Sequence, residues 1–240
     1  MLKKLLLIGS ISAALLSGPV FADPLPTFVF DDVETSELSS QNVKALVKEG
    51  AGIYYDEPEK ARALFVEALQ LVKSGKSISD YEYLWVMYGL LNSSYQSGSS
   101  EFVQGANSAE YMKIAEQALD FLYEWNSTGY WHYTEVGQFQ MEVHRNAANG
   151  LSWYLMEEAK SAEDLEHASS IVEEGIEYIR GPEDFYLYDT YARILLKQGD
   201  KNSAYKVVKF VLSEVPDFED FQDIKTDADY QSWAAKNSSE

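Results

Sequence analysis

An all-α fold of stacked antiparallel helix hairpins is what this sequence predicts, on three observations. Tyr188, Tyr191, Ala192, Leu195, Ala204, Val208, Val211 and Pro216 fall at successive separations of 3, 1, 3, 9, 4, 3 and 5. That spacing puts apolar stripes on two helices joined by a tight turn. From about Glu37 onward apolar residues recur with a helical period, and no run alternates as a half-buried strand does. Small residues, Ala192 and Ala204, stand where the two helices would cross, so that the backbones approach closely. Gly199-Asp200 supplies the turn between them, and Pro216 stops the second helix. Such a hairpin cannot bury its apolar face alone, so neighbours must be stacked on it.

Residues 23 to 40, with Pro24, Pro26, Phe28 and Phe30 in a Ser/Thr/acidic run, form an irregular lead-in to a repeat domain over 41 to 217. A first helix is expected over 42 to 55, apolar at Val43, Leu46, Val47, Gly50 and Ile53. Its partner begins at Pro58, a residue suited to a first helical turn, and carries Ala61, Phe65 and Ala68. Ser79-Asp80 signals the cap of the next helix, which runs to Gln96 and repeats the stripe at Trp85, Tyr88 and Gly89, with Asn92 in place of an aromatic. A Gly/Ser-rich insertion over 97 to 107 precedes a helix over 108 to 125, with Tyr111, Ala115, Ala118 and Leu119 on one side. After a loop over 126 to 133, a long helix runs from Glu135 to about Glu158, matching the stripe at Ala148, Leu151, Ser152 and Leu155. Its partner, with Ala168, Val172 and Gly175, arrives late after a longer turn over 160 to 164. Gly181-Pro182 then separates this pair from the last hairpin. Residues 218 to 240 form an acidic cap and tail, with one short helix over 226 to 236 closing the array through Tyr230 and Trp233.

The matched positions fit W-x2-L-G-x2-Y and then A-x3-F-x2-A-x4-P, the pattern of the tetratricopeptide repeat. Residues 42 to 217 resemble about four such hairpins: the last is a close match, the third is good apart from its turn, and the first two are loose. The resemblance implies a right-handed superhelical array whose concave face binds peptides or protein segments through outward residues of each first helix. Carried over position by position, these are Lys44, Tyr54 and Tyr55, then Tyr83 and Leu90, then Asn146, Asn149 and Trp153, and last Tyr186, Asp189, Arg193 and Lys197. The mixture suits the reading of an extended backbone. The Lys/Asn set with which that family clamps a C-terminal carboxylate does not occur here in the required order, so no carboxylate ligand is expected. The motif specifies packing and is nearly silent on function.

Residues 1 to 22 have the form of a Sec-type signal peptide: Lys3 and Lys4, an apolar stretch from Leu5 to Leu16, and Val20-Phe21-Ala22 as a cleavage site. Export after cleavage following Ala22, to a bacterial periplasm or to the outside, is the expectation, with no membrane insertion, because the stretch is short of the roughly 20 residues a span needs. The chain has no cysteine, so packing alone must hold it. Nineteen basic residues face 39 acidic ones; loss of Lys3 and Lys4 takes the formal charge from −20 to −22. A phosphate backbone would be repelled, which argues against nucleic acid. The acidity leaves open a basic protein partner or simply a solvated surface that resists aggregation.

Little in the sequence points to chemistry. His132, His144 and His167 lack the i+3 or i+4 partners of a helical metal pair, and the acidic runs lack the spacing of a calcium loop. No phosphate-binding glycine loop or nucleophile motif occurs, so neither cofactor nor metal is expected. Tyr130, Trp131 and Tyr133, around His132, form an aromatic cluster with two readings: an anchor for a partner, or a plug over the gap between the second and third hairpins. Three functions remain open: a non-enzymatic scaffold binding a protein or peptide through its concave face, a periplasmic immunity or inhibitor protein that neutralises a toxin, and a groove enzyme using two carboxylates within about 10 Å of each other.

Overall fold

The computed structural model describes residues 43–54, 56–74, 79–96, 108–126 and 134–237. The expected leader and lead-in, the 97–107 insertion, Tyr55, Tyr130, Trp131 and Tyr133 lie outside the described residues. The fold is all-α. Ten α-helices are present among the described residues: α1 (Val43–Ile53), α2 (Pro58–Lys73), α3 (Asp80–Gln96), α4 (Ser108–Asn126), α5 (Glu135–Glu158), α6 (Ala162–Ile176), α7 (Tyr186–Lys197), α8 (Lys201–Glu214), α9 (Gln222–Thr226) and α10 (Ala228–Lys236). Short 3-10 turns, Pro182–Asp184 and Glu219–Phe221, precede α7 and α9. From α1 to α8 each helix packs on the next, α10 packs on α8, and the first members of successive pairs also touch: α1 on α3, α3 on α5, α5 on α7.

Local chemistry sets the boundaries. Pro58 opens α2 as its first residue. Ser79 Oγ accepts from the Glu82 N–H at 3.2 Å while the Glu82 carboxylate accepts from the Ser79 N–H at 2.9 Å, a reciprocal cap on α3. Thr134 caps α5 through the Gly137 N–H. The turn before α6 is shorter than its sequence suggests, only 159–161, because Ser161 and Asp164 form a second reciprocal cap and draw 162 to 164 into the helix. Between α7 and α8, Gly199 takes φ +84°. The Asp200 N–H reaches back to Leu195 O at 2.9 Å and the Gly199 N–H to Leu196 O at 3.0 Å, closing α7. Asp200 then turns its carboxylate to the Ser203 N–H and starts α8. The expected single cap helix is two, α9 and α10, because Asp227 accepts from the Asp229 and Tyr230 N–H groups and begins a new helix.

Glycines set how closely the first pairs approach. The ring of Phe65, wholly buried on α2, lies over Gly50 of α1 and Gly89 of α3; a Cβ on Gly89 would fall 2.3 Å from that ring. Tyr111 of α4 likewise lies over Gly150 of α5. Trp85 stacks on Phe139 at 4.6 Å, and Tyr88 meets the same ring edge-on at 5.2 Å, so α3 and α5 join through aromatics. At the other end, Tyr205 of α8 meets Tyr230 and Trp233 of α10 at 5.4 and 5.7 Å, and Trp233 Nε1 donates to Asn202. Residues 219–236 cover the face on which a further pair would stack.

Candidate interaction face

The seam between α5 and α7 gathers most of the outward positions expected for the last two hairpins. Asn146 Oδ1 accepts from the Tyr186 hydroxyl at 3.2 Å, its Nδ2 donates to Glu142 Oε1 at 3.4 Å, and its backbone carbonyl accepts from the Tyr111 hydroxyl at 3.5 Å. One turn on, Asn149 Oδ1 accepts from the buried Thr190 hydroxyl at 2.7 Å. Lys197 Nζ donates to Met156 O at 2.5 Å, a last-turn carbonyl of α5 that also accepts from the Ala159 N–H at 3.3 Å. Trp153 packs half-buried on a cluster that includes Met156, Leu187 and Ile194.

Arg193 holds the C-terminal cap. Its Nε donates to Asp189 Oδ1 at 2.8 Å, its Nη1 to Asp223 Oδ2 at 3.0 Å, and its Nη2 to Asp220 O at 2.7 Å and Asp223 Oδ1 at 3.2 Å. Asp189 lies in the buried part of this cluster. Burial pushes its carboxyl up to about 6, with Arg193 opposing the shift. Asp223, exposed at the rim, is held below its ordinary value by the hydrogen bond from Arg193.

The N-terminal positions are placed differently. Lys44 is half-buried on α1. Tyr83 is half-buried on α3 and meets Phe121 edge-on at 4.8 Å. Tyr54 and Leu90 face the core rather than an outward surface: Tyr54 lies against Tyr88, and Leu90 is wholly buried.

The strongest polar feature was not expected from the sequence. Arg145 of α5 is wholly buried, ion-paired to Glu142, and donates Nη1 to Tyr178 O at 2.9 Å; its Nε lies 3.2 Å from Asp184 Oδ1, an ion pair outside hydrogen-bond geometry. Asp184 Oδ2 accepts from the Arg180 N–H at 2.8 Å, and Arg180 Nη2 lies 3.7 Å from Glu142. Burial raises the Asp184 carboxyl, against the pull of Arg145. Next to Arg145, the His144 imidazole lies between the rings of Tyr123 and Tyr178 at 5.8 and 4.7 Å. Burial first, and Arg145 second, lower it to about 4, so it is neutral at pH 7. Glu142-x2-Arg145 is visible as an i,i+3 pair, but its convergence with Asp184 requires the chain to return after α6.

Glu142 and Asp184 are the carboxylates this region brings together, and each lies against a guanidinium. Among the described residues no group of three His, Cys, Asp or Glu is placed to hold a metal ion, and no helix is long and apolar enough to cross a membrane. No family model, curated protein or solved structure matches this chain.

Proposed function

We propose that this chain is an exported, non-enzymatic scaffold of the tetratricopeptide type that binds a protein or peptide along the face of its first helices, α1, α3, α5 and α7. The observation that carries this reading is the unbroken row those helices make, each on the next, which supports a continuous face running the length of the array. Trp153 keeps part of its surface in solvent, an aromatic of the kind that dominates interface energetics, and Lys197 is exposed with its Nζ on Met156 O. The guanidinium beside each of Glu142 and Asp184 favours a structural over a catalytic role for those carboxylates.

The test is affinity capture of the mature chain from its own cell envelope, followed by titration of the captured partner against Trp153→Ala and Lys197→Met. Trp153→Ala is expected to weaken binding about thirtyfold, the value of a hot-spot aromatic. Unchanged affinity in both variants refutes this face. Arg193 is unsuitable for the test, since changing it releases Asp220 and Asp223 of the cap. The acid excess favours a second reading, an immunity or inhibitor protein for a basic toxin. It predicts affinity that falls steeply with ionic strength and ignores both face variants.

A further inference from the structure

We infer that Arg145 is a conformational lock: it fixes the connection between α6 and α7, and so couples the last hairpin and its cap to the helices before them. This goes beyond the binding reading and does not depend on it.

Three observations carry the inference. The connection spans 177–185, nine residues, where the turns at 159–161 and 198–200 have three. A connection of this length does not by itself specify where α7 and α8 sit. Its internal backbone bonds are local: Tyr178 N–H to Gly175 O at 3.1 Å, Asp184 N–H to Gly181 O at 3.0 Å, Phe185 N–H to Pro182 O at 3.1 Å. These shape the loop without fixing it to a neighbour. Arg145 does fix it, because one guanidinium on α5 reaches Tyr178 O near the start of the connection and Asp184 near its end.

The apolar packing gives the second support. The core divides into a cluster over α1 to α5, a cluster over α7, α8 and the cap, and a smaller one between them. The middle cluster shares Leu155 with the first and Ile179 and Tyr191 with the last. Ile171 of α6 and Tyr178 of the connection also pack against the first cluster, so the apolar link between the two ends is a handful of side chains. Third, a buried ion cluster is often no more stable than apolar side chains of the same volume. What the Arg145 cluster supplies that apolar residues would not is direction at Tyr178 O and Glu142, to which the planar fork donates at fixed angles, together with a charge that holds Asp184. The same cluster sets the spacing of α5 and α7, because Glu142 also holds Asn146, and Asn146 holds Tyr186.

The experiment uses the full mature chain carrying Arg145→Met, Glu142→Gln and Asp184→Asn together, so that none of the three is left as a lone buried charge, and Arg180, part exposed, loses only its 3.7 Å contact with Glu142. The expected result is a folded protein in which amides of 178–185 and α7 exchange on the order of tenfold faster or more, while those of α2 and α3 are unchanged. Urea unfolding should then split into two transitions, the C-terminal one first. One transition, with exchange in 178–185 within about twofold of the parent, overturns the lock. Should the triple variant not fold, Arg145→Lys is read by the same exchange. It keeps the charge and loses the fork, and unchanged exchange there overturns the proposal equally.

Discussion

Between α1 and α3 a single apolar ring fills the junction: Phe65 lies over Gly50 and Gly89, and nothing charged takes part in that contact. Between α5 and α7 polar contacts are added to apolar ones: Arg145, Glu142 and Asp184 lie on one side, the Asn146–Tyr186 and Asn149–Thr190 bonds run along the seam, and Met156 packs with Leu187 and Ile194. The two regions answer the same requirement, that successive first helices pack at a set distance, by different physics. In the first, shape complementarity sets the distance and any added atom is felt. In the second, hydrogen-bond and ion-pair geometry sets it, and the danger is a partner removed. The difference shows in how each should fail, and whether each can be rescued.

The largest expected effect is at Arg145. Arg145→Ala strands the buried Asp184 carboxylate and frees Tyr178 O, and should lower the unfolding free energy by about 3–5 kcal/mol in urea titration. Adding Asp184→Asn should restore a substantial part. Phe65→Ala should cost about as much, 3–5 kcal/mol, yet no charge change near it should help. If Arg145→Ala is not rescued by neutralising Asp184, the polar account of this junction is wrong.

Two buried titratable groups in the polar region make a second prediction. His144 has a folded pKa depressed from 6.5 to about 4. As pH falls from 6.5, the unfolded state takes up a proton that the folded state refuses, so stability is lost down to about pH 4. Asp189 is raised from 3.8 to about 6. As pH falls from 6, the folded state takes up a proton before the unfolded one, so stability is gained down to about pH 4. Each effect approaches about 3 kcal/mol at about 1.4 kcal/mol per pKa unit, and they oppose each other over the same window. Parent stability should therefore change little between pH 6.5 and 4 from these two groups. His144→Phe should become more stable across that window as pH falls, and Asp189→Asn less. Thermal melts at pH 4, 5 and 6.5 decide it, and parallel profiles for both variants would refute the opposition.

How legible each region was in the sequence depends on the same contrast. Phe65, Gly89, Ala192 and Ala204 stand at regular spacing because packing repeats with the helix, so the hairpins and their order could be read from one chain. Gly199-Asp200 was legible for a local reason, since the turn is made by those residues alone. The Arg145 cluster was not, because Glu142 and Asp184 are 42 residues apart in sequence and no periodicity links them. Tyr54 and Leu90 are buried for a related reason: the outward position of a repeat is inferred from its neighbours, whereas Tyr54 falls just past the last residue of α1 and Leu90 lies wholly inside the core on α3. Arg193 was legible as an outward residue but not as the anchor of the cap, since that role depends on where 219–226 returns.

In the apolar region, Gly89→Ala places a Cβ 2.3 Å from the Phe65 ring. Neither helix can yield without disturbing Trp85 and Tyr88 beside it, so the expected cost is about 1–3 kcal/mol. Phe65→Leu made alone should also destabilise. Made together with Gly89→Ala it should cost less than the sum, because the smaller side chain admits the methyl. Additivity within about 0.5 kcal/mol in the double-mutant cycle would mean that the glycine is not there for the ring.

The smallest effects isolate backbone from packing. Gly52 and Gly199 both have open space where a Cβ would go, with nothing within 4 Å. Gly52 lies near the end of α1 with an ordinary helical backbone, so Gly52→Ala should stabilise by up to about 1 kcal/mol through reduced freedom of the unfolded chain. Gly199 has φ +84°, where an L side chain meets its own carbonyl, so Gly199→Ala should destabilise by about 1–2 kcal/mol. One methyl added in two open places should thus move stability in opposite directions. Because neither methyl touches a neighbour, a shared sign would show that the left-handed turn closing α7 does not set the value of Gly199. The tight turn would then lose its explanation, while the Phe65 and Arg145 junctions would stand unaffected.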